Sequence, residues 1–332
     1  MIFFTFFTKI LHYLPSEFSH FIALKSLKLL YKIGILRVLV GKNQNTTLPA
    51  SSSFTGLKNN LGIAAGLDKD GEYIDSLAEL GFGFIEVGTV TPKPQFGNPK
   101  PRIFRDINNK SLLNRLGFNN KGVDNLVTNL KNRKSNIIVG SSIGKNFDTP
   151  NEEASNDYLY CIEKVYEYSD YIAINISSPN TFGLRELTNE EYLDKLLKCL
   201  KNKQNDLSKI HGYKPIFIKI SPDESSDSLE DICNSIIKNQ IDGIICSNTT
   251  IDHNDQNGAG GLSGKPLMEK ATKCLSKTRR LIGNKMPIIA SGGVMTADDY
   301  LEKIDAGANL VQIYTGFIYE GPKLIDEILN LN

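Results

Sequence analysis

Apolar residues recur along this chain in two patterns. Short continuous runs rich in β-branched residues appear as LGIAAG (61–66), FIEVGTV (84–90), IIVGSSI (137–143), YIAINIS (171–177), PIFIKIS (215–221), GIICSNT (243–249), PIIASGG (287–293) and LVQIYTG (310–316). Between them, residues 152–168, 188–206, 228–239, 265–282 and 297–306 carry helical periodicity, the last stretch closing at Gly307. A strand that is apolar along its whole length is covered on both faces, as in a parallel sheet flanked by helices. Eight such units over about 250 residues suit a closed (β/α)8 TIM barrel better than an open doubly wound sheet. One barrel over 56–332 is therefore expected. The long gap at 91–120 holds PRIFR and SLLNR, which read as a small antiparallel insertion over the barrel mouth.

The segment before the barrel follows a different rule. Phe3, Phe6, Phe7, Ile10 and Leu14 recur at helical spacing, and after a break at Pro15 and Ser16, Phe18, Phe21, Ile22, Leu29 and Leu30 alternate with lysines. Lys9, His12 and Pro15 interrupt the apolar run too early for a membrane span of about 20 residues, and neither a basic leader nor a cleavage site is present. Residues 1–40 thus read as two short helices, and 41–55, GKNQNTTLPASSSFT, as a linker. The pair could simply pack on the barrel. Its charge favours a second role: Lys9, Lys25, Lys28, Lys32 and Arg37 face Glu17 alone, giving +4 in a chain of net +1. A basic, phenylalanine-rich pair lying in a membrane surface is the expectation.

Elsewhere the charge is balanced, 38 basic against 37 acidic residues, so no overall basic field points to nucleic acid. The five cysteines (Cys161, Cys199, Cys233, Cys246, Cys274) show neither CxxC spacing nor a disulfide framework, as expected of reduced thiols. The sequons at Asn45, Asn175 and Asn248 are read as chance.

A barrel of this kind places its chemistry at the carboxyl ends of its strands. Lys69 follows the first strand and Thr89 ends the second; Ser142 and Asn146 follow the third, and Asn175 and Ser178 the fourth. Lys219 lies in the fifth, Asn248 and Thr249 follow the sixth, Gly292 and Gly293 the seventh, and Tyr314, Thr315 and Gly316 the eighth. No metal-ligand cluster appears and none of the four histidines ends a strand, which argues against metal-assisted hydrolysis and histidine-based acyl transfer. Glycines after the last two strands, with Gly264 nearby, suit a phosphate held by bare backbone amides. Lys219 in an apolar strand needs an anionic partner, either a bound ligand or a barrel carboxylate such as Glu86.

Long blocks then carry a resemblance: AAGLDKDG (64–71), GTVTPKPQFGNPKPRIFR (88–105), NRLGFNNKGVDNL (114–126), IGKNFDTP (143–150), AINISSPNTFGLR (173–185), SNTT (247–250), GGLSGKPL (260–267) and LVQIYTGFIYEGP (310–322). Over essentially the whole chain the sequence resembles the quinone-linked, membrane-associated class of dihydroorotate dehydrogenases. That resemblance implies one FMN per barrel, oxidation of dihydroorotate to orotate in pyrimidine synthesis, and transfer of the electrons to a membrane quinone. It implies Ser178 as the base, with Thr181 and Phe118 as its relay neighbours. Substrate contacts carried over are Lys69, Asn114, Asn175, Asn180, Asn248 and Thr249, together with the backbone of Arg115, Leu116, Gly117 and Phe118. FMN contacts carried over are Ala65, Gly66, Thr89, Ser142, Asn175, Lys219, Ser247, Gly264, Gly293, Tyr314 and Thr315, and the quinone tunnel takes His20, Arg105 and Tyr314. The amides suit a pyrimidine, because Asn donates and accepts without changing charge.

Two positions depart from the bacterial pattern: Ser142 stands where Asn is usual, and Ser247 where Thr is. The loop 251–261 is also shorter than expected. The soluble class uses a Cys base and lacks the amino-terminal helices; here no Cys lies in 175–185 and the helices are expected. A monomer is expected, and the missing transit peptide favours the cytoplasmic face of a bacterial inner membrane. Two rivals stand beside this reading. Another FMN barrel reducing a uracil-like base should show a Cys acid and, for RNA, a basic face; a catalytically silent membrane-surface barrel should take up no FMN.

Overall fold

The computed structural model describes residues 2–41, 56–181 and 183–331; nearly all of the expected 41–55 linker lies outside them. Strands run in chain order as β1 (Leu61–Ile63), β2 (Phe84–Val90), β3 (Ile103–Asp106), β4 (Ser111–Asn114), β5 (Ile138–Ile143), β6 (Tyr171–Asn175), β7 (Ile216–Ile220), β8 (Gly243–Cys246), β9 (Gly261–Gly264), β10 (Ile288–Ser291) and β11 (Leu310–Ile313). Eight of them close a parallel barrel in the order β1, β2, β5, β6, β7, β8, β10, β11, with β11 pairing back to β1. Each continuous apolar run in the sequence supplies one of these strands. Helices cover the outside, among them Ala154–Val165, Glu190–His211, Ser226–Lys238, Met268–Ile282 and Ala297–Asp305. The last begins in a capping box between Thr296 and Asp299, which satisfies amides the helix leaves open.

The lower half of the barrel is filled by Phe84, Tyr171, Ala173, Phe217, Ile245, Ile289 and Leu310. Tyr171 meets Phe217 edge-on at 5.5 Å between ring centroids. Three glycines make room for the rings: a Cβ at Gly62, Gly140 or Gly243 would sit within 2.4, 2.0 or 2.3 Å of Phe84, Tyr171 or Phe217. Large side chains opposite absent ones give a packed plug below and leave depth for a ligand above.

Over the mouth lies the expected antiparallel insertion. β3 pairs with β4, and β4 pairs with a third strand, β9, that the sequence did not announce. GLSG has no β-branched residue and too few apolar positions to read as a strand; β4 holds it in place from outside.

The amino-terminal segment forms α1 (Ile2–Leu11), α2 (Ser16–Lys32) and a third short helix, α3 (Ile35–Val40), beyond the two expected. The turn between α1 and α2 is pinned by Ser19, whose hydroxyl donates to Leu11 O at 2.7 Å, and by Arg105, whose Nη1 donates to His12 O at 2.7 Å. Glu17 pairs with Arg102 at 2.8 Å, tying α2 to the insertion. None of the described helices is long and apolar enough to cross a membrane.

Candidate active site

The barrel mouth opens into a cavity with about 1080 Å3 of empty space, part of it continuous with solvent. Its wall takes Ala65, Gly66 and Lys69 from the turn after β1, Thr89 from β2, and Asn175, Ser178 and Asn180 from β6 and the loop beyond. Lys219 of β7 follows, then Ser247, Asn248 and Thr249 after β8, Gly293 after β10, and Tyr314 and Thr315 after β11. The insertion adds Asn114, Leu116, Gly117, Phe118 and Gly264.

Two expected members stand outside that wall. Ser142 is fully buried behind Thr89, its hydroxyl 2.9 Å from Thr89 Oγ1, so it supports the wall without facing the cavity. Arg115 lays its guanidinium over Phe104 and donates to Asn257 O at 2.9 Å, while its own N–H is spent on Arg102 O at 2.9 Å. Sequence reasoning also missed wall residues. Gln312, a polar residue inside an apolar strand, could have been found by the logic that singled out Lys219; Ser263, Ile103 and Leu112 carried no such signal.

The amides form a connected rim. Asn175 donates to Thr89 Oγ1 at 2.9 Å and accepts from Asn248 at 3.2 Å, and Asn248 also donates to Ser177 Oγ at 3.1 Å. On the other side Asn180 donates to Asn114 Oδ1 at 3.0 Å, and Asn114 donates to Gly261 O at 3.1 Å. Each amide is held by a neighbour, which fixes its donor and acceptor edges before any ligand arrives.

The floor is ionic. Lys219 Nζ lies 3.6 Å from Glu86 Oε1, so the barrel carboxylate considered as its partner is the one it faces. Glu86 is fully buried and its Oε2 accepts from Tyr171 OH at 3.0 Å and Gln312 Nε2 at 2.8 Å, whereas Oε1 has no hydrogen bond among the described residues. At 3.6 Å the ammonium is beyond hydrogen-bond length from Oε1, and it lines the cavity with donors to spare.

Opposite, Gly293 takes a left-handed φ of +91°, and a Cβ there would come within 2.2 Å of Met268 Cα. The backbone after β10 and β11 is therefore packed tightly and bare, and the amides of Gly293, Thr315 and Gly316 have no acceptor among the described residues. That is a cradle for a phosphate. The cradle, the Lys219 ammonium and the amide rim together fit FMN.

Ser178 is buried and accepts the Asn180 N–H at 3.3 Å, the local turn that a Ser-Asn stretch favours. No histidine or carboxylate is hydrogen-bonded to it among the described residues. Thr181, three residues on, has a buried hydroxyl with no partner among the described residues. Lys69 donates to Gly66 O at 2.8 Å, and burial pushes its pKa down to about 8, with nearby Arg102 adding to the effect.

A second chamber, with about 1400 Å3 of empty space, lies between the amino-terminal helices and the barrel. Phe4, Leu11, Leu24, Leu27 and Leu30 make it apolar, and its polar groups include Thr8, His12, His20 and Arg105. Burial, with Lys69 close by, pushes His20 down to about 4, so it is neutral at ordinary pH. Arg105 Nε is buried with no partner among the described residues. Tyr314, Ile103 and Leu112 border both chambers.

Fold and site define a (β/α)8 barrel with a polar chamber inside the mouth and an apolar one against it. The dihydroorotate dehydrogenase family model matches residues 50–331. A "Dihydroorotate dehydrogenase (quinone)" of Shewanella sediminis is 51% identical over 328 residues, covering 97% of this chain and 96% of that one. The like-named protein of Shewanella denitrificans is 49% identical over 329 residues, with the same coverage of 97% and 96%. Among solved structures, DHODH from Eimeria tenella in complex with ferulenol superposes with a TM-score of 0.78 at 33% identity, covering 89% of each chain. The chain belongs to the dihydroorotate dehydrogenase family.

Proposed function

We infer that the polar chamber oxidises (S)-dihydroorotate to orotate with FMN, and that the apolar chamber admits a membrane quinone as electron acceptor, a step of de novo pyrimidine synthesis. The observation that carries this reading is the pairing of two chambers across Tyr314, one lined by ordered amides and the other by helices α1 and α2. Lys219, Thr89, Asn175 and Ser247 would hold the flavin ring, while Gly264, Gly293 and Thr315 would hold its phosphate. FMN, when bound, supplies the acceptor for the hydride that leaves the substrate ring.

The chain's own residues do the rest. Asn114, Asn175, Asn180 and Asn248 present fixed donors and acceptors to the edges of the pyrimidine, and Lys69 offsets its carboxylate. Ser178 Oγ takes the proton from the carbon beside the ring carbonyl. A free hydroxyl is a weak base, so Ser178 depends on position and on exclusion of bulk water. The Thr181 hydroxyl, without a partner among the described residues, supports onward passage of that proton through an ordered water.

Residues 2–40 form the quinone and membrane segment in this reading. Tyr13, Phe18, Phe21, Leu29, Ile33, Ile35 and Val38 are exposed beside Lys25, Lys32 and Arg37, the composition of a surface that beds into anionic lipid. The bacterial relatives suit the cytoplasmic face of an inner membrane.

The test is colour. Purified protein should be yellow and bleach when dihydroorotate is added without oxygen, and a quinone should restore the colour where fumarate and NAD do not. A colourless protein that takes up no FMN would overturn the assignment.

A further inference from the structure

The loop that carries Ser178 is tied to its surroundings through Asn180, which donates to Asn114 Oδ1 at 3.0 Å and accepts from Asn98 at 3.3 Å, and through Gly183 O, which accepts from Asn151 at 2.8 Å; a further tie crosses its root. Arg185, just past the loop, turns its guanidinium back across the root: Nε donates to Ser177 O at 3.2 Å, and Nη2 donates to Thr249 O at 3.1 Å. The third nitrogen, Nη1, donates to Asp223 Oδ2 at 2.9 Å. Those three acceptors come from three different strand ends, those of β6, β8 and β7.

Asp223 is itself fixed. Its carboxylate also takes Lys270 Nζ at 2.7 Å, the Thr250 hydroxyl and the Ile251 N–H at 2.9 Å. Burial alone would raise its pKa, but those donors and Arg185 outweigh it and hold the carboxyl below its ordinary value. The orienting charge is therefore present at working pH.

We propose that Arg185 is a positioning residue, tying the backbone next to Ser178 to the backbone of Thr249 so that the base and the far edge of the pyrimidine pocket keep a fixed separation, with Asp223 aiming the fork. This rests on the assignment of Ser178 and Thr249 to the dihydroorotate pocket. A planar guanidinium can serve three acceptors at fixed angles, which an ammonium cannot.

The experiment uses the flavin-loaded full chain with Arg185→Ala and Arg185→Lys. Amide hydrogen exchange over 176–181 and 183–188 should quicken in Arg185→Ala while the barrel strands keep the protection of the parent. Bleaching by dihydroorotate should slow on the order of 10²-fold, as expected for a displaced reacting group. Reoxidation by quinone should stay within about twofold of the parent, since the tie acts on the base and not on the acceptor chamber. Arg185→Lys should recover only a fraction of the loss, and added guanidinium should restore more of it to Arg185→Ala than added ammonium. Equal slowing of bleaching and reoxidation, or unchanged exchange and bleaching, overturns the proposal. A parent protein that dihydroorotate fails to bleach overturns the pocket assignment first and this inference with it, whereas a parent that bleaches beside an unaffected Arg185→Ala sinks the inference alone.

Discussion

Removing the charge of Glu86 tests whether the chamber floor is an ion pair or a chain of neutral hydrogen bonds. Glu86→Gln keeps the shape and leaves an acceptor for either Tyr171 or Gln312, but it takes away the counter-charge 3.6 Å from Lys219. At that separation and an effective dielectric of about 20 the attraction is about 5 kcal/mol. Mutational experience with buried pairs gives a similar figure, about 3–5 kcal/mol when one partner is removed. With an unfolding entropy of about 2.1 cal/mol/K per residue, the melting temperature should fall by roughly 4–7 °C at matched flavin occupancy. Scanning calorimetry reads this directly. Compared with the single variant with both proteins free of flavin, the double variant Glu86→Gln with Lys219→Met should regain most of the lost stability, because it leaves no buried charge unmatched. A single variant as stable as the parent, or a double variant no more stable than the single, would refute the ionic account of the floor.

Three further outcomes follow from the site. Ser178→Ala should lower turnover by about 10²–10⁴-fold while the protein stays yellow; undiminished turnover removes Ser178 as the base. Lys69, with its pKa near 8, is cationic below that pH, so KM for dihydroorotate should rise as pH climbs through about 8, and Lys69→Met should flatten the rise in a pH series of initial rates. A chain beginning near residue 45 should still bleach with dihydroorotate but lose vesicle binding and quinone reduction; full quinone activity there speaks against the apolar chamber as the acceptor site.

The barrel was legible because its strands are buried on both faces and so read as unbroken apolar runs, with Lys219 conspicuous as an intruder. β9 was not legible, since its GLSG sequence becomes a strand only through β4. α3 was folded into its neighbour's pattern, because six residues of ILRVLV continue the same mixture of apolar and basic residues. Within the site, family blocks located nearly every wall residue but not which way each side chain turns. Ser142 spends its hydroxyl on Thr89, and Arg115 turns to Phe104, both decided by packing partners distant in the chain. The tie at Arg185 was invisible for the same reason: its acceptors at 177, 223 and 249 meet only when the barrel closes.

Tyr314, with Ile103 and Leu112, works as a party wall, each presenting a side to both chambers. On the proposed assignment of the apolar chamber to the acceptor, a compound wedged there should obstruct the electron acceptor without displacing the pyrimidine.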